Sequence, residues 1–166
     1  MHAGTHIDGP MHLLDIPKYL YEFPLDTFIG EGCVLDVRGS KTVEYKEEYE
    51  HRIQEGQIVI LYTGHSRHYG QPDYFNDYPV LTQGFAECLV RRKVKMIGLD
   101  TPSPDTYPFD IHSYLFHHHV LIIENLTRVE QLLALNRFEI IALPLNIQAD
   151  SSIARVIARE IGDGAL

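Results

Sequence analysis

Four side chains that can bind metal stand close together at the start of the sequence: His2, His6, Asp8 and His12. Imidazole and carboxylate are ligands that suit zinc and manganese, and a histidine near its ordinary pKa also carries protons. A cluster of this kind can activate water for hydrolysis. The competing interpretations are a histidine-rich tail or tag remnant that binds nothing specific, or histidines that are satisfied separately. Four such groups in twelve residues favour a metal centre.

The backbone around these ligands is predicted to be an irregular loop. Gly4, Gly9 and Pro10 disfavour a helix, and glycine lets a backbone bend closely around an ion. Thr5 is expected to hydrogen-bond a ligand or the activated water from behind.

Composition excludes several classes of function. A net charge of -9 and a pI near 5.5 disfavour nucleic-acid binding. No apolar run approaches the roughly 20 residues of a membrane helix, and no signal peptide is visible, so a cytoplasmic protein is expected. Cys33 and Cys88 lie in separate apolar stretches and are expected to be buried thiols without a catalytic role.

Short β-branched and apolar runs between turn residues predict strands at 33–37, 58–62, 94–99, 120–123 and 139–143. Helices are predicted at 82–92, with Thr82 as N-cap, and at 110–117. A third helix is expected to begin at Thr127, where Glu130 completes a capping box. Alternating strands and helices predict one α/β layered domain over residues 1–166, with a mixed sheet flanked by helices.

The first twelve residues carry a longer pattern than the ligands alone. His2-Ala-Gly-Thr-His6-Ile-Asp8-Gly-Pro-Met-His12 resembles the signature of the cyclase-like metal-dependent hydrolases, the family of bacterial kynurenine formamidase and isatin hydrolase. The resemblance continues through Thr63-Gly64 and Gly98-Leu-Asp100-Thr-Pro-Ser103. It implies a cyclase-like swivelling β/α fold.

The resemblance also implies two distant ligands, His112 and Glu124, which return to the metal centre in the family. The implied metal ligands are His2, His6, Asp8, His12, His112 and Glu124. His12 and Glu124 are the expected catalytic residues, with His12 moving the proton from water to the leaving amine. For Glu124 alone, an exposed strand end is the competing interpretation, and for His112 a solvated helix face.

Residues 66–79 combine chain breakers with aromatic side chains, which is typical either of a substrate-facing loop or of a surface loop that covers the core. Rings at Tyr69, Tyr74 and Phe75 are candidates to stack on a substrate, and His65 is a candidate to line the pocket.

The implied function is hydrolysis of an amide C–N bond by metal-activated water, with an aryl formamide such as N-formylkynurenine as substrate. A cyclic amide such as isatin is the alternative, and a non-catalytic metal-binding relative or a metal-storage module is the runner-up. Six ligand-type groups exceed the needs of a single catalytic zinc. Either two zinc or manganese ions share a bridging Asp8, or one ion is bound and His12 is the base.

Two departures from the family pattern affect these expectations. Gln148 and Ile153 stand where relatives carry Gly and Pro, which puts the specificity of that segment in doubt. The family's strands ahead of the signature are missing, since Met1 directly precedes His2, so we expect a truncated chain or a late start. Family members resemble homodimers or homotetramers, and the same is expected here. The partner is a small-molecule amide, with no nucleic acid and no membrane.

Overall fold

The computed structural model describes residues 2–162 of the chain. The strands in this part are β1 (His6–Asp8), β2 (Ile29–Asp36), β3 (Thr42–Val43), β4 (Ile58–Tyr62), β5 (Val80–Leu81), β6 (Met96–Leu99), β7 (Leu121–Glu124), β8 (Phe138–Pro144) and β9 (Ser151–Glu160). The α-helices are α1 (Glu47–Arg52), α2 (Gln83–Arg91) and α3 (Asp110–His117). Short 3₁₀ helices lie at Pro10–His12, Leu20–Glu22, Leu25–Phe28, His65–His68 and Val129–Ala134.

Seven of these strands close into a barrel in the order β1-β7-β6-β4-β2-β8-β9. Strands β2, β4, β6 and β7 are parallel neighbours, whereas β1, β8 and β9 pair antiparallel to the strands beside them. Helix α2 lies in the crossover between β4 and β6, and α3 in the crossover between β6 and β7. The carboxyl ends of β4, β6 and β7 therefore meet at one edge, where loops build sites in α/β folds.

The two faces of the barrel wall carry separate cores. Along β4, Ile58 and Ile60 belong to the cluster that the barrel encloses, whereas Val59 and Leu61 belong to the cluster under the helices. This alternation is the period-two pattern of a strand that is buried on both faces. It explains why β4 reads in the sequence as a continuous apolar run.

The predicted fold class is confirmed: the chain is a mixed α/β domain with helices packed on the sheet. Strand β4 and helix α3 have the predicted bounds, and Thr82 caps α2 by accepting a hydrogen bond from the Phe85 amide at 3.3 Å. Both cysteines are buried free thiols. Closure of the sheet into a barrel was not predicted.

Two local predictions are wrong. The expected helix at Thr127 is a 3₁₀ helix that starts after Arg128, a left-handed residue without a side-chain cap, so the capping box does not form. The ligand segment is not wholly irregular, because His6–Asp8 forms β1 between β7 and β9. Ile7 is buried in the enclosed core, and this anchor outweighs the flexibility of the neighbouring glycines.

Within residues 2–162, no helix combines the length and the apolar character needed to cross a membrane.

Candidate metal centre

The centre is built around a cross-strand pair. His6 on β1 lies opposite Glu124 at the end of β7, and the adjacent pair Ile7–Ile123 points into the enclosed core. Because side chains alternate along a strand, His6 and Glu124 both project to the other face. His6 Nε2 lies 3.3 Å from Glu124 Oε2, and both side chains are buried.

His6 has one nitrogen fixed and one directed into the centre. Its Nδ1 donates to the Gly4 carbonyl at 2.8 Å, which leaves Nε2 facing the carboxylates. Gly4 has a φ of 69°, a left-handed conformation that glycine adopts without strain. Burial alone would lower the pKa of His6, but hydrogen bonds to Asp8 and Glu124 outweigh it and raise the pKa to about 10.

Asp8 occupies the middle of the cluster. Its carboxylate is buried and both oxygens lack a well-directed hydrogen bond, although His2 Nδ1 and His6 Nε2 lie 3.0 and 3.5 Å from Oδ1. Burial tends to raise the pKa of Asp8, but the two adjacent imidazoles outweigh it and hold that pKa well below its usual range. A buried carboxylate whose oxygens lack hydrogen bonds suits a cation ligand.

His2 and His12 form the solvent side of the centre. His2 Nε2 lies 3.2 Å from Ser151 Oγ on β9, and the His2 and His12 ring centroids are 4.2 Å apart. His12 follows Pro10 in a short 3₁₀ helix and lies 3.7 Å from an Asp150 carboxylate oxygen. Partial burial lowers the pKa of His12, so this imidazole is neutral near pH 7.

His112 enters from the first turn of α3. Its Nε2 lies 3.2 Å from Glu124 Oε1, and its Nδ1 is 2.5 Å from Asp105 Oδ1. Burial opposes the charged ring, but hydrogen bonds to Asp105 and Glu124 prevail and raise the pKa of His112 to about 9. Asp105 was missed in the sequence, because an acid seven residues before a predicted ligand has no spacing that predicts a contact.

The structure brings all six predicted ligand positions into one region. Two groups of three have ligand atoms within 4.8 Å of one another: His2 with Asp8 and His12, and His6 with Asp8 and Glu124. Asp8 belongs to both groups, and His112 touches Glu124. This mixed nitrogen and oxygen donor set, centred on a carboxylate without hydrogen bonds, fits a divalent metal cofactor.

A second layer of polar contacts holds the ligand strand. Thr5 was expected to hydrogen-bond a metal ligand or the activated water, but its hydroxyl donates to the Asn125 carbonyl at 2.7 Å. Asn125 has a φ of 57°, and its side-chain amide lies 3.5 Å from His6 Nδ1. Asn125 was also missed, because a polar residue after a strand carries no signal of its own in one sequence.

The aromatic loop packs beside this layer. Tyr74 is only 1% exposed, and its hydroxyl donates to Asn125 Oδ1 at 2.6 Å. His65 stacks on Tyr74 and binds the Tyr74 carbonyl at 2.8 Å. Tyr69 is half exposed and its hydroxyl lies beside Gly4, whereas Phe75 is 70% exposed on the outer side of Tyr74. Of these four residues, Tyr69 lies beside the ligand loop with a solvent-accessible ring.

A further aromatic pair lies beside His112. The Phe109 ring meets the His112 ring edge to face at 5.7 Å, and Tyr107 packs on Phe109 at 6.1 Å. Tyr107 is 85% exposed. Phe109 has a φ of 66°, an uncommon conformation for a bulky residue that often occurs at functional sites. The sequence alone gave no reason to select this pair.

Three comparisons connect this geometry to known proteins. The profile of the family described as "Putative cyclase" matches residues 1–106. The chain is 31% identical over 169 residues to a kynurenine formamidase of Bacillus cytotoxicus, covering 97% of this chain and 77% of the relative.

Two solved structures share the fold. An isatin hydrolase A from Labrenzia aggregata bound to benzyl benzoate superimposes with a TM-score of 0.82 at 26% identity, covering 95% of this chain and 72% of that one. A potential metal-dependent hydrolase with cyclase activity gives a TM-score of 0.80 at 26% identity, covering 96% and 80%.

Proposed function

The chain belongs to the cyclase family, and from that premise we propose that its centre hydrolyses the amide bond of an aryl formamide. The protein is a metal-dependent amidohydrolase. The observation that carries the proposal is Asp8, a buried carboxylate without hydrogen bonds that two groups of ligands share.

We propose that the cofactor is zinc or manganese, and that the chain would hold two ions with Asp8 as a common ligand. His2 and Asp8 would hold one ion beside His12, and His6, Glu124 and His112, again with Asp8, would hold the other. Support for two ions comes from the two groups of ligand atoms, which share Asp8. A divalent ion held here supplies Lewis-acid chemistry, because it lowers the pKa of water and polarises a carbonyl oxygen.

The chain's own residues supply proton transfer. His12 is partly exposed and neutral near pH 7, so its imidazole can accept a proton from water and pass it to the leaving nitrogen. Asp150, 3.7 Å away, stabilises the imidazolium that forms meanwhile. Glu124 bridges two buried imidazoles and keeps its carboxylate directed at the centre, where it orients the reacting groups.

The substrate is proposed to be a formamide on an aromatic amine, with formate and the free amine as products. Support comes from the kynurenine formamidase relative and from aromatic rings near the centre, Tyr69 beside the ligand loop and Tyr107 with Phe109 beside His112. Such rings offer stacking contacts to an aromatic substrate. A cyclic amide is the second candidate, favoured by the fold shared with isatin hydrolase A.

A homodimer is also proposed, with the outer face of β8 and β9 as the interface. Leu143, Ile153 and Ile157 are each more than 40% exposed there. β8 pairs along one edge of β9, and β1 pairs with residues 151–153 on the other edge. Among the described strands, none pairs with the rest of that other edge, so it can pair with β9 of another copy. Light scattering should give twice the chain mass of 19.0 kDa.

The test of function uses purified protein with zinc or manganese added after chelation. We expect turnover of N-formylkynurenine that depends on metal, together with elemental analysis approaching two ions per chain. Isatin is the parallel substrate, and faster turnover of isatin would select the second candidate. Tight metal binding with no turnover of either amide would contradict the proposed enzyme.

A further inference from the structure

Asp105 lies outside the ligand set but contacts it through His112. Asp105 Oδ1 accepts a hydrogen bond from His112 Nδ1 at 2.5 Å, and both residues are more than nine-tenths buried. The opposite nitrogen, Nε2, is the one that faces Glu124. A proton held on Nδ1 by a carboxylate leaves Nε2 with a lone pair for a metal ion.

The same carboxylate fixes the backbone that carries His112. Asp105 Oδ2 accepts hydrogen bonds from the amides of Ile111 at 2.7 Å and of His112 at 3.2 Å. Helix α3 needs these acceptors, because its N-cap residue Phe109 is left-handed and provides no side-chain cap. One side chain therefore holds both the ring and the main chain of His112.

Asp105 is itself held from behind. Its amide donates to Ser103 Oγ at 3.4 Å, and Thr101 Oγ1 donates to the Ser103 carbonyl at 2.9 Å. All three residues are buried in the loop that leaves β6. These contacts restrict the orientation of the Asp105 carboxylate, as expected for a group that orients a metal ligand.

We propose that Asp105 is a positioning residue that sets the tautomer and the direction of His112 for the metal centre. The inference rests on the proposed metal centre, and it concerns the affinity of that centre rather than the identity of the substrate. Asp105 belongs to neither group of candidate ligands, so its effect on the centre passes through His112.

The test compares Asp105→Asn with wild type in metal-free protein titrated with Zn²⁺ and Co²⁺ against a competing chelator. Asparagine keeps an oxygen for the two backbone amides, but its NH₂ group cannot accept the Nδ1 proton. We expect affinity at one site to fall about 10- to 100-fold, with a changed Co²⁺ absorption spectrum. Asp110→Asn is the matched control, because Asp110 begins the same helix, is exposed, and should leave affinity within twofold.

Circular dichroism and thermal unfolding of the metal-free variants separate positioning from folding. If Asp105→Asn does not fold, the same metal titration is made with Asp105→Glu, which keeps the charge but displaces the carboxylate by one methylene. A comparable loss of affinity is then expected. Wild-type affinity and spectrum in the folded variant would overturn the positioning role while leaving the proposed function intact. Failure of the wild type to bind either ion would overturn the proposed function itself.

Discussion

Asp8 and His12 lie four residues apart in the sequence, yet their surroundings give them opposite tasks. Asp8 is buried, and neighbouring imidazoles hold its pKa low, so it is a permanent anion at the middle of the centre. His12 stands at the rim with a lowered pKa and can exchange a proton with solvent. Asp8 is suited to bind metal, and His12 is suited to transfer protons.

Substitution should separate these two tasks. Asp8→Ala removes the group that both ligand clusters share, so metal content should fall to near zero and activity with it. His12→Ala should retain at least one ion, because His6, Asp8 and Glu124 remain, while turnover falls about 100-fold or more. Elemental analysis and formamide turnover of both variants provide the measurement.

Asp15→Ala is the control, because Asp15 is exposed and lies outside both clusters. Near wild-type turnover in His12→Ala would show that another group moves the proton. Retention of both ions in Asp8→Ala would show that the carboxylate does not bridge.

The sequence supplied the ligands of the centre but not their supports. Spacing and residue type select His2, His6, Asp8 and His12 without any structure, and family resemblance adds the distant pair. Asp105 accepts a hydrogen bond from His112, and Asn125 accepts one from Thr5 beside the ligand strand. Such contacts leave no periodic trace in one sequence. Residues that support a ligand in this way can be identified only from the three-dimensional structure.

Elements with a clear local sequence pattern were predicted, whereas strands that depend on pairing with a neighbour were not. β4 and α3 were placed from local pattern alone. β1 is three residues long, and β9 carries Ile and Arg in turn on one face and Ala and Val on the other, so neither shows a clear alternation of polar and apolar residues. Each is a strand because a neighbour offers backbone partners: β8 for β9, and β7 for β1.

The barrel also makes a packing prediction at β2. A Cβ at Gly32 would overlap the ring of Phe138 on β8, and that ring is buried. Gly32→Ala must therefore displace Phe138 and should lower the free energy of unfolding by ~1–3 kcal/mol. Denaturant unfolding of metal-free protein measures the change.

Gly84→Ala is the matched control in α2. Its Cβ would lie 3.6 Å from Tyr45 Cβ, an ordinary contact, and alanine favours the helix. This variant should be unchanged or more stable by ~0.5 kcal/mol. Equal stability of Gly32→Ala and wild type would mean that β2 and β8 pack less closely than in the structure.

At the scale of the whole molecule, an acidic protein buries positive charge at its metal centre. The chain has a net charge of -9, yet His6 and His112 are buried next to carboxylates that favour their protonated forms. In metal-free protein these imidazolium groups partly neutralise Asp8 and Glu124. Protons therefore occupy the centre in place of a cation, and metal has to displace them.

That competition sets the pH dependence of metal binding. The pKa values of His6 and His112 are raised to about 10 and about 9, so both rings are protonated at pH 7.5 in metal-free protein. Metal takes the neutral rings, so loading should release about two protons per chain, and overall affinity should fall ~100-fold for each pH unit lost below about 9. Calorimetric Zn²⁺ titrations at pH 7.5, repeated in buffers of different ionisation enthalpy, count the protons released. With the ordinary histidine pKa near 6.5, fewer than half a proton would leave at pH 7.5, and that result would show that the rings are neutral before metal arrives.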